Sequence, residues 1–393
     1  MVDALPPAEW TARADLAGLV EALGSGNLRW VGGAVRDTLL GLPVKDIDGA
    51  TPLPPQEVIA RARKAGLRTV PTGIDHGTVT VLLPGGPVEV TTLRHDVSTD
   101  GRRATVRYAQ DWADDAARRD FTINALYADP QSREIFDYHG GLADLAARTV
   151  RFIGDARERI REDHLRILRY FRFQARFGAA LDPAAEQACA ELAETLKGLS
   201  RERVAMELLN LLGLPDPAAT VARMHRLGIL PVILPETGPG EIATLERLIA
   251  AERMAGIAPD PMRRLAALLP ATEGTAESVA ARLRLSGKQR KRLACVAERN
   301  GSDGDDPRLL AYRVGMECAH DRLLIAGLPV GALDGWAIPQ LPIKGGDVVA
   351  AGITAGPRVA RMLRTVENRW IAEGFPDSAR VAEILAECVG AEG

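Results

Sequence analysis

The sequence predicts an α+β chain: a mixed sheet domain over about the first 140 residues, then an all-helical remainder. Three observations carry this. Short apolar runs of strand type, bounded by Gly or Pro, crowd the first 140 of the 393 residues. Beyond about Gly141 they give way to Leu/Ala/Arg segments with apolar residues every three to four positions. With 46% hydrophobic residues the chain is also long enough for two or more domains with real cores.

In order along the head, residues 28–31, 46–51, 77–83, 88–93 and 125–129 read as strands, and residues 13–23, 34–40 and 55–65 as helices. Residues 95–111 are polar, contain Asp100-Gly101-Arg102-Arg103, and read as a mobile loop leading to a helix over 118–125. A single helix is expected over 162–177. Turn-rich breaks at 213–217, 235–240, 300–307 and 339–346 divide the later helices, and no repeat or low-complexity tract is present. The expected division is a head at 1–140, a helical neck at 141–215, and a helical body and tail at 216–393.

Forty-nine basic residues face fifty-two acidic ones, a net charge of −3, so any polyanion site must be local. Forty-three of the basic residues are arginines, a skew along the whole chain that carries no functional information by itself. Cys189, Cys295, Cys318 and Cys388 are far apart and form no C-x-x-C, which points to buried free thiols in a reducing compartment. No basic-then-apolar leader opens the sequence and no run of about 18 uncharged apolar residues occurs. The expectation is a soluble, cytoplasmic protein with no membrane contact.

The chemistry concentrates in the head. Gly32-Gly33 stands between a strand and a helix that carries Arg36 one turn in. Such a turn lets backbone approach a phosphate, and the guanidinium can grip it bidentately; it is also what an ordinary tight turn looks like. Asp46 and Asp48 flank Ile47 on a predicted strand, so both carboxylates project to one side while Ile47 points inward. Two adjacent anions suit Mg²⁺, which takes carboxylate oxygens together with substrate phosphate, although a lone D-x-D is also a common solvated strand end. Glu89, in the alternating run Val88-Glu89-Val90, is a third carboxylate able to reach the same cations, or a plain exposed strand acid.

Four motifs then fall in a recognisable order: Gly32-Gly33-Ala34-Val35-Arg36-Asp37, Asp46-Ile47-Asp48, Arg118-Arg119-Asp120-Phe121-Thr122-Ile123-Asn124-Ala125, and Glu162-Asp163-His164-Leu165-Arg166-Ile167-Leu168-Arg169. Together they closely resemble the class II tRNA nucleotidyltransferase and bacterial poly(A) polymerase family. The resemblance implies a polymerase-β-like palm as head, with helical neck, body and tail. It further implies that Asp46 and Asp48 hold Mg²⁺ for attack of an RNA 3′-hydroxyl on the α-phosphorus, that Gly33 and Arg36 contact the triphosphate, and that Arg119 is a nucleotide-binding position. No nucleophilic Ser or Cys is needed for such a transfer.

Asp163 and Arg166 stand three apart, on one face of the expected helix. A carboxylate accepts from the exocyclic amino group of cytosine or adenine, and a guanidinium donates to cytosine N3 or adenine N1. Uracil and guanine present a carbonyl and a ring N–H instead, so the pair accepts CTP and ATP without a nucleic-acid template. Arg169 and Arg172 continue the arginine row beside an apolar row of Leu165, Leu168 and Phe171, and the matching family positions contact nucleotide. Ser200-Arg201-Glu202-Arg203 resembles a fifth family motif and reads locally as a helix start capped by Ser200.

The 95–111 loop and Asp75-His76-Gly77-Thr78-Val79-Thr80 favour CCA addition over polyadenylation by that resemblance. Gly49, where relatives commonly carry a larger apolar residue, is expected to loosen packing near the cations. His95-Asp96 and His320-Asp321 lack the histidine spacing of an appended phosphohydrolase. Six basic residues and no acid over 282–292 suit RNA phosphates or a solvated basic helix pair. The expected partners are tRNA, held by its acceptor and TΨC arms through shape and backbone, with CTP and ATP, and the expected state is a monomer or weak homodimer. A poly(A) polymerase, an A-adding member of the same family and a non-catalytic tRNA-binding protein are the alternatives.

Overall fold

A computed structural model describes residues 4–99, 104–109, 111–178 and 180–392. The chain forms two compact units, the first Met1–Ile242 with Pro259–Pro261 and Arg282–Leu285, the second Ala243–Ala258, Met262–Ala281 and Ser286–Gly393.

The first unit is built on a seven-stranded mixed sheet. Its strands are β1 (Arg29–Val31), β2 (Ile47–Thr51), β3 (Arg68–Gly73), β4 (Thr78–Leu83), β5 (Gly86–Thr92), β8 (Leu126–Ala128) and β9 (Ile135–Asp137), in the order β3-β4-β5-β2-β1-β8-β9. All neighbours are antiparallel except β2 and β5, a parallel pair whose register sets Asp48 opposite Glu89. Strands β6 (Arg94–Thr99) and β7 (Ala104–Tyr108) form a separate antiparallel ribbon. The 95–111 segment is therefore ribbon, not loop, over its described residues, while residues 100–103 of the expected loop lie outside them. β3 and β9 were not anticipated.

The helices of this unit are α1 (Ala14–Leu23), α2 (Gly33–Leu39), α3 (Pro55–Lys64), α4 (Trp112–Ala117), α5 (Gly141–Ala146), α6 (Ala156–Glu162), α7 (Arg166–Phe177), α8 (Pro183–Glu191), α9 (Arg201–Leu212), α10 (Ala218–Arg226) and α11 (Ile229–Ile233). α3 begins on a proline, buries Val58 and Ala62, and ends in Arg61, Arg63 and Lys64, the distribution that helix-end dipoles favour. It packs on β3, β4 and β5 and lies within the crossover that β2 and β5 need to run parallel. α9 is capped as expected, Ser200 Oγ accepting from the Arg203 N–H.

Two expected helices are corrected. The 162–177 helix is broken: α6 ends at Glu162, Asp163 is extended (φ −148°, ψ 105°), and α7 starts at Arg166. Asp163 Oδ1 accepts the Leu165 N–H at 3.1 Å, a local side-chain bond that competes with the helical ladder. Nor is 118–125 a helix. α4 ends before Arg118, Phe121 is extended (φ −121°, ψ 147°) and bridges to Phe152, and only Thr122–Asn124 winds as a 3₁₀ turn. Here Asp120 Oδ1 takes the Phe121 N–H at 2.8 Å.

The second unit is helical over its described residues, including Gly287–Ala297, Pro307–Val314, Met316–Ile325, Gly345–Ala350, Pro357–Ala372 and Ser378–Glu392. Val348, Met362, Val366, Trp370, Val381 and Ile384 form one of its cores. The cysteine expectation fails for one pair: Cys295 and Cys318, with Cα atoms 6.3 Å apart on two helices, are joined by a disulfide, whereas Cys189 and Cys388 are buried free thiols. Among the described residues no helix is long and apolar enough to cross a membrane.

Candidate active site

The D-x-D geometry follows from strand alternation. Ile47 is 6% exposed and packs inward, while Asp46, just before β2, is exposed and Asp48 half-buried. Glu89 is exposed between the fully buried Val88 and Val90. Burial first, then the charges of Glu89 and Asp46, push the Asp48 carboxyl up to about 6 against the pull of Arg119. The three acids thus form one patch of mutual repulsion that a cation would relieve. Among the described residues no three ligating side chains converge into a finished cage. Mg²⁺ does not need one, because it binds through one or two carboxylates and completes its octahedron with water and phosphate oxygens. The donor set therefore fits that ion.

Gly49 does not loosen this region. A Cβ there would stand 2.7 Å from Leu28 Cδ1 and 3.8 Å from the Trp30 ring, so the space a larger residue would take is already filled. Leu28 and Trp30 are both buried.

Beside the acids, Gly32 turns the chain at φ 69°, a left-handed conformation that glycine adopts without a Cβ penalty, and Gly33 opens α2. Arg119 reaches toward this turn: a Cβ on Gly32 would meet its Nη1 at 3.6 Å. Arg36, expected at the phosphate, is instead 4% exposed. Its Nε donates to Asp37 Oδ1 at 2.8 Å and its Nη1 to Asn124 Oδ1 at 2.5 Å, with the rings of Phe173 and Phe177 about it. Burial lowers its pKa, opposed by Asp37. In this arrangement Arg36 holds α2 to the Thr122–Asn124 turn, and its Nη2 also lies by the glycine turn, 3.8 Å from where a Cβ on Gly33 would stand.

The base-reading candidates lie at the α6–α7 break. Asp163 Oδ2 accepts from Arg203 of α9 at 2.7 Å, and Arg166 donates to Glu162 at 2.6 Å and to the carbonyls of Arg159 and Arg118, each at 2.9 Å. The hydrogen bond between Asp163 and Arg166 is a backbone one, the Arg166 N–H donating to the Asp163 carbonyl at 3.0 Å; they are neighbours across a turn, not along one helix face. Arg169 binds Asp120, Arg172 binds the buried Glu207 of α9 at 2.6 Å, and both stack on Phe173. Leu165, Leu168 and Phe171 are buried, as their row predicts.

Several partners here were not singled out from sequence: Asp115, Tyr127, Asp120, Asn124, Arg203 and Glu207. Asp120 accepts from Arg169, Asn124 and the Phe121 N–H. Burial would raise its pKa, but these donors, Arg169 foremost, hold it down at about 2. The one available signal was an acid inside an otherwise apolar helical pattern, as at Glu207. Of the basic run at 282–292, Arg282 pairs with Glu236 and Arg284 with Glu202 in the first unit. In the second, Arg290 pairs with Glu277 and Arg292 with Asp321, while Lys288 and Lys291 are exposed.

Residues 28–151 match the family model described as the poly A polymerase head domain, and residues 178–239 that described as a probable RNA and SrmB-binding site of polymerase A. The chain is 34% identical over 374 residues to the mitochondrial CCA tRNA nucleotidyltransferase 1 of Mus musculus, covering 88% of this chain and 83% of that one. It is 30% identical over 399 residues to the CCA-adding enzyme of Limosilactobacillus fermentum, covering 94% of each. The crystal structure of the Bacillus stearothermophilus CCA-adding enzyme in complex with CTP superposes with a TM-score of 0.78 at 28% identity, over 96% of this chain and 98% of that one.

Proposed function

The chain belongs to the CCA tRNA nucleotidyltransferase family, and from that premise we propose that it adds C, C and A in turn to the 3′ end of tRNA from CTP and ATP, without a nucleic-acid template. The observation that carries this reading is that Asp48 and Glu89 face each other on adjacent parallel strands, with Asp46 just before the first of them and Arg119 reaching from beside them to the Gly32 turn.

In this reading Asp46 and Asp48 hold Mg²⁺, with Glu89 adding charge from the neighbouring strand. When bound, such cations lower the pKa of the attacking hydroxyl and neutralise the triphosphate. The protein positions: Gly32 and Gly33 let the phosphates approach backbone, Arg119 supplies the fixed cation, and Arg36 acts from behind through Asn124. Asp163 has acceptor capacity beyond Arg203 and the Leu165 N–H, since a carboxylate offers about four lone-pair sites. Arg166 directs three of its bonds to protein oxygens, and a guanidinium carries five N–H donors, so both side chains can read a base edge while held in place. Arg169 and Arg172, anchored on acids, line the same side of α7.

The same proposal takes residues 1–140 as head, 141–215 as neck and 216–393 as body and tail, with Lys288 and Lys291 meeting tRNA phosphates. It places the protein in the cytoplasm as a monomer or weak homodimer.

The deciding experiment is incubation with tRNA ending at the discriminator base, supplying CTP and ATP singly and together. Three nucleotides in CCA order are expected; long A-tails would make it a poly(A) polymerase. Asp46→Ala is expected to abolish incorporation and to remove the rise in Tm on adding Mg²⁺; intact incorporation would refute the carboxylate assignment, and tRNA binding without incorporation by the parent would favour a tRNA-binding protein.

A further inference from the structure

We propose that Tyr127 and Asp115 are positioning residues that aim Arg119 at the nucleotide. The inference rests on the reading of Arg119 as a triphosphate contact. Asp115, on α4, is 1% exposed, so its carboxylate must be satisfied by protein donors. Its Oδ1 accepts from Arg118 Nε at 2.7 Å, and its Oδ2 accepts from the Tyr127 hydroxyl at 2.7 Å and from Arg119 Nη2 at 3.1 Å. The Tyr127 oxygen in turn accepts from Arg119 Nε at 3.1 Å. Tyr127 lies on β8 opposite Val31 of β1, the residue before the glycine turn.

One edge of the Arg119 fork, Nε and Nη2, is therefore tied into a directional chain from Arg119 through Tyr127 to Asp115. The remaining nitrogen, Nη1, is left beside Gly32, and the guanidinium as a whole lies near enough to Asp48 to lower its proton affinity. A free arginine side chain loses rotamer entropy when it is fixed. Here that cost is met on folding, before any substrate arrives, which is what a preorganised electrostatic contact requires. Asp115 sets the direction of the hydroxyl proton, and the hydroxyl sets the orientation of the fork. Burial and the neighbouring Asp115 raise the phenol pKa, so it stays protonated and able to donate.

A purely architectural role, tying α4 to the sheet, would leave nucleotide affinity to follow overall stability. The test is CTP and ATP affinity by calorimetric titration of the full chain, with steady-state kinetics, for Tyr127→Phe, Asp115→Asn, Arg119→Ala and each paired with Arg119→Ala. Tyr127→Phe keeps the ring against Trp112 and Tyr138 and removes only the hydroxyl, so it is the variant least exposed to misfolding. Expected are rises in Kd and KM for CTP and ATP alike, about tenfold for Tyr127→Phe and up to about 100-fold for Asp115→Asn, the scale of weakening a hydrogen bond to a charged group. The choice between bases and the value of kcat should change little, and neither substitution should weaken binding further once Arg119 is Ala. Equal losses in the Arg119→Ala background, or unchanged affinity in both single variants while Arg119→Ala binds weakly, would overturn the proposal. If Arg119→Ala itself bound CTP and ATP like the parent, the triphosphate reading would fail, and this inference with it.

Discussion

At Asp48 folding and chemistry pull in opposite directions. Its carboxyl is raised to about 6 from an ordinary 3.8, so in the cation-free protein the native state favours the protonated form, and ionisation costs stability above about pH 6. That cost shrinks as pH falls towards about 4. Asp48→Asn should therefore raise the Tm of cation-free protein at pH 8 but hardly at pH 4, while abolishing incorporation; a lower Tm at pH 8 would contradict the electrostatics. Asp115 and Asp120 have the reverse sign. Both are buried and held at about 2 by arginine, tyrosine and amide donors that outweigh desolvation. Each contributes stability on the order of 2 kcal/mol at neutral pH, lost as pH falls from about 4 through about 2. Denaturant unfolding over that range should show a steep loss in the parent and a shallower one in Asp120→Asn.

The elements around the site differ in how openly the chain announces them. β1, β2, β4, β5 and β8 lie in short apolar runs of strand type, several bounded by Gly or Pro, and were legible. β3 was not, since Arg68-Thr69-Val70-Pro71-Thr72-Gly73 is largely exposed and carries a proline, the marks of an edge strand with no apolar face to detect. The motif residues were legible because the chemistry demands particular side chains close in sequence. Their supports were not: Arg203 meets Asp163 across 40 residues and Glu207 meets Arg172 across 35, spacings that no periodicity reveals. The break at Asp163 was hidden by the continuous apolar row on either side of it. In the proposed reading it matters for function, because it takes Asp163 out of the helix and leaves its carboxylate to meet a base. Asp163→Ala should relax the choice among the four nucleotides more than it weakens triphosphate binding, and unchanged incorporation ratios would count against its role. Gly49 gives a prediction of packing: Gly49→Ala forces a Cβ into Leu28 and should cost about 1–3 kcal/mol in denaturant unfolding.

For the molecule as a whole, both compact units thread buried acids through arginines, Asp115 and Asp120 in the first and Glu252, Asp303 and Asp321 in the second. The first adds a sheet. The second contains the single disulfide among the described residues, between Cys295 and Cys318, 23 residues apart. One helical turn away the same two helices are joined again, Arg292 donating to Asp321 at 2.7 and 3.0 Å. That pair, with Asp321 buried, keeps the helices adjacent when the thiols are reduced, so the crosslink acts mainly on the unfolded chain. Closing a loop of this length is worth about 3 kcal/mol by chain entropy. Cys295→Ser with Cys318→Ser, or simple reduction, should therefore lower the unfolding free energy of the second unit by about that amount, read as a fall in its denaturant midpoint. CTP affinity should stay unchanged, because every residue proposed to touch nucleotide belongs to the first unit. An unmoved midpoint would mean that the bond adds nothing to the ion pair beside it; a fall in CTP affinity would show that reduction reaches the nucleotide site.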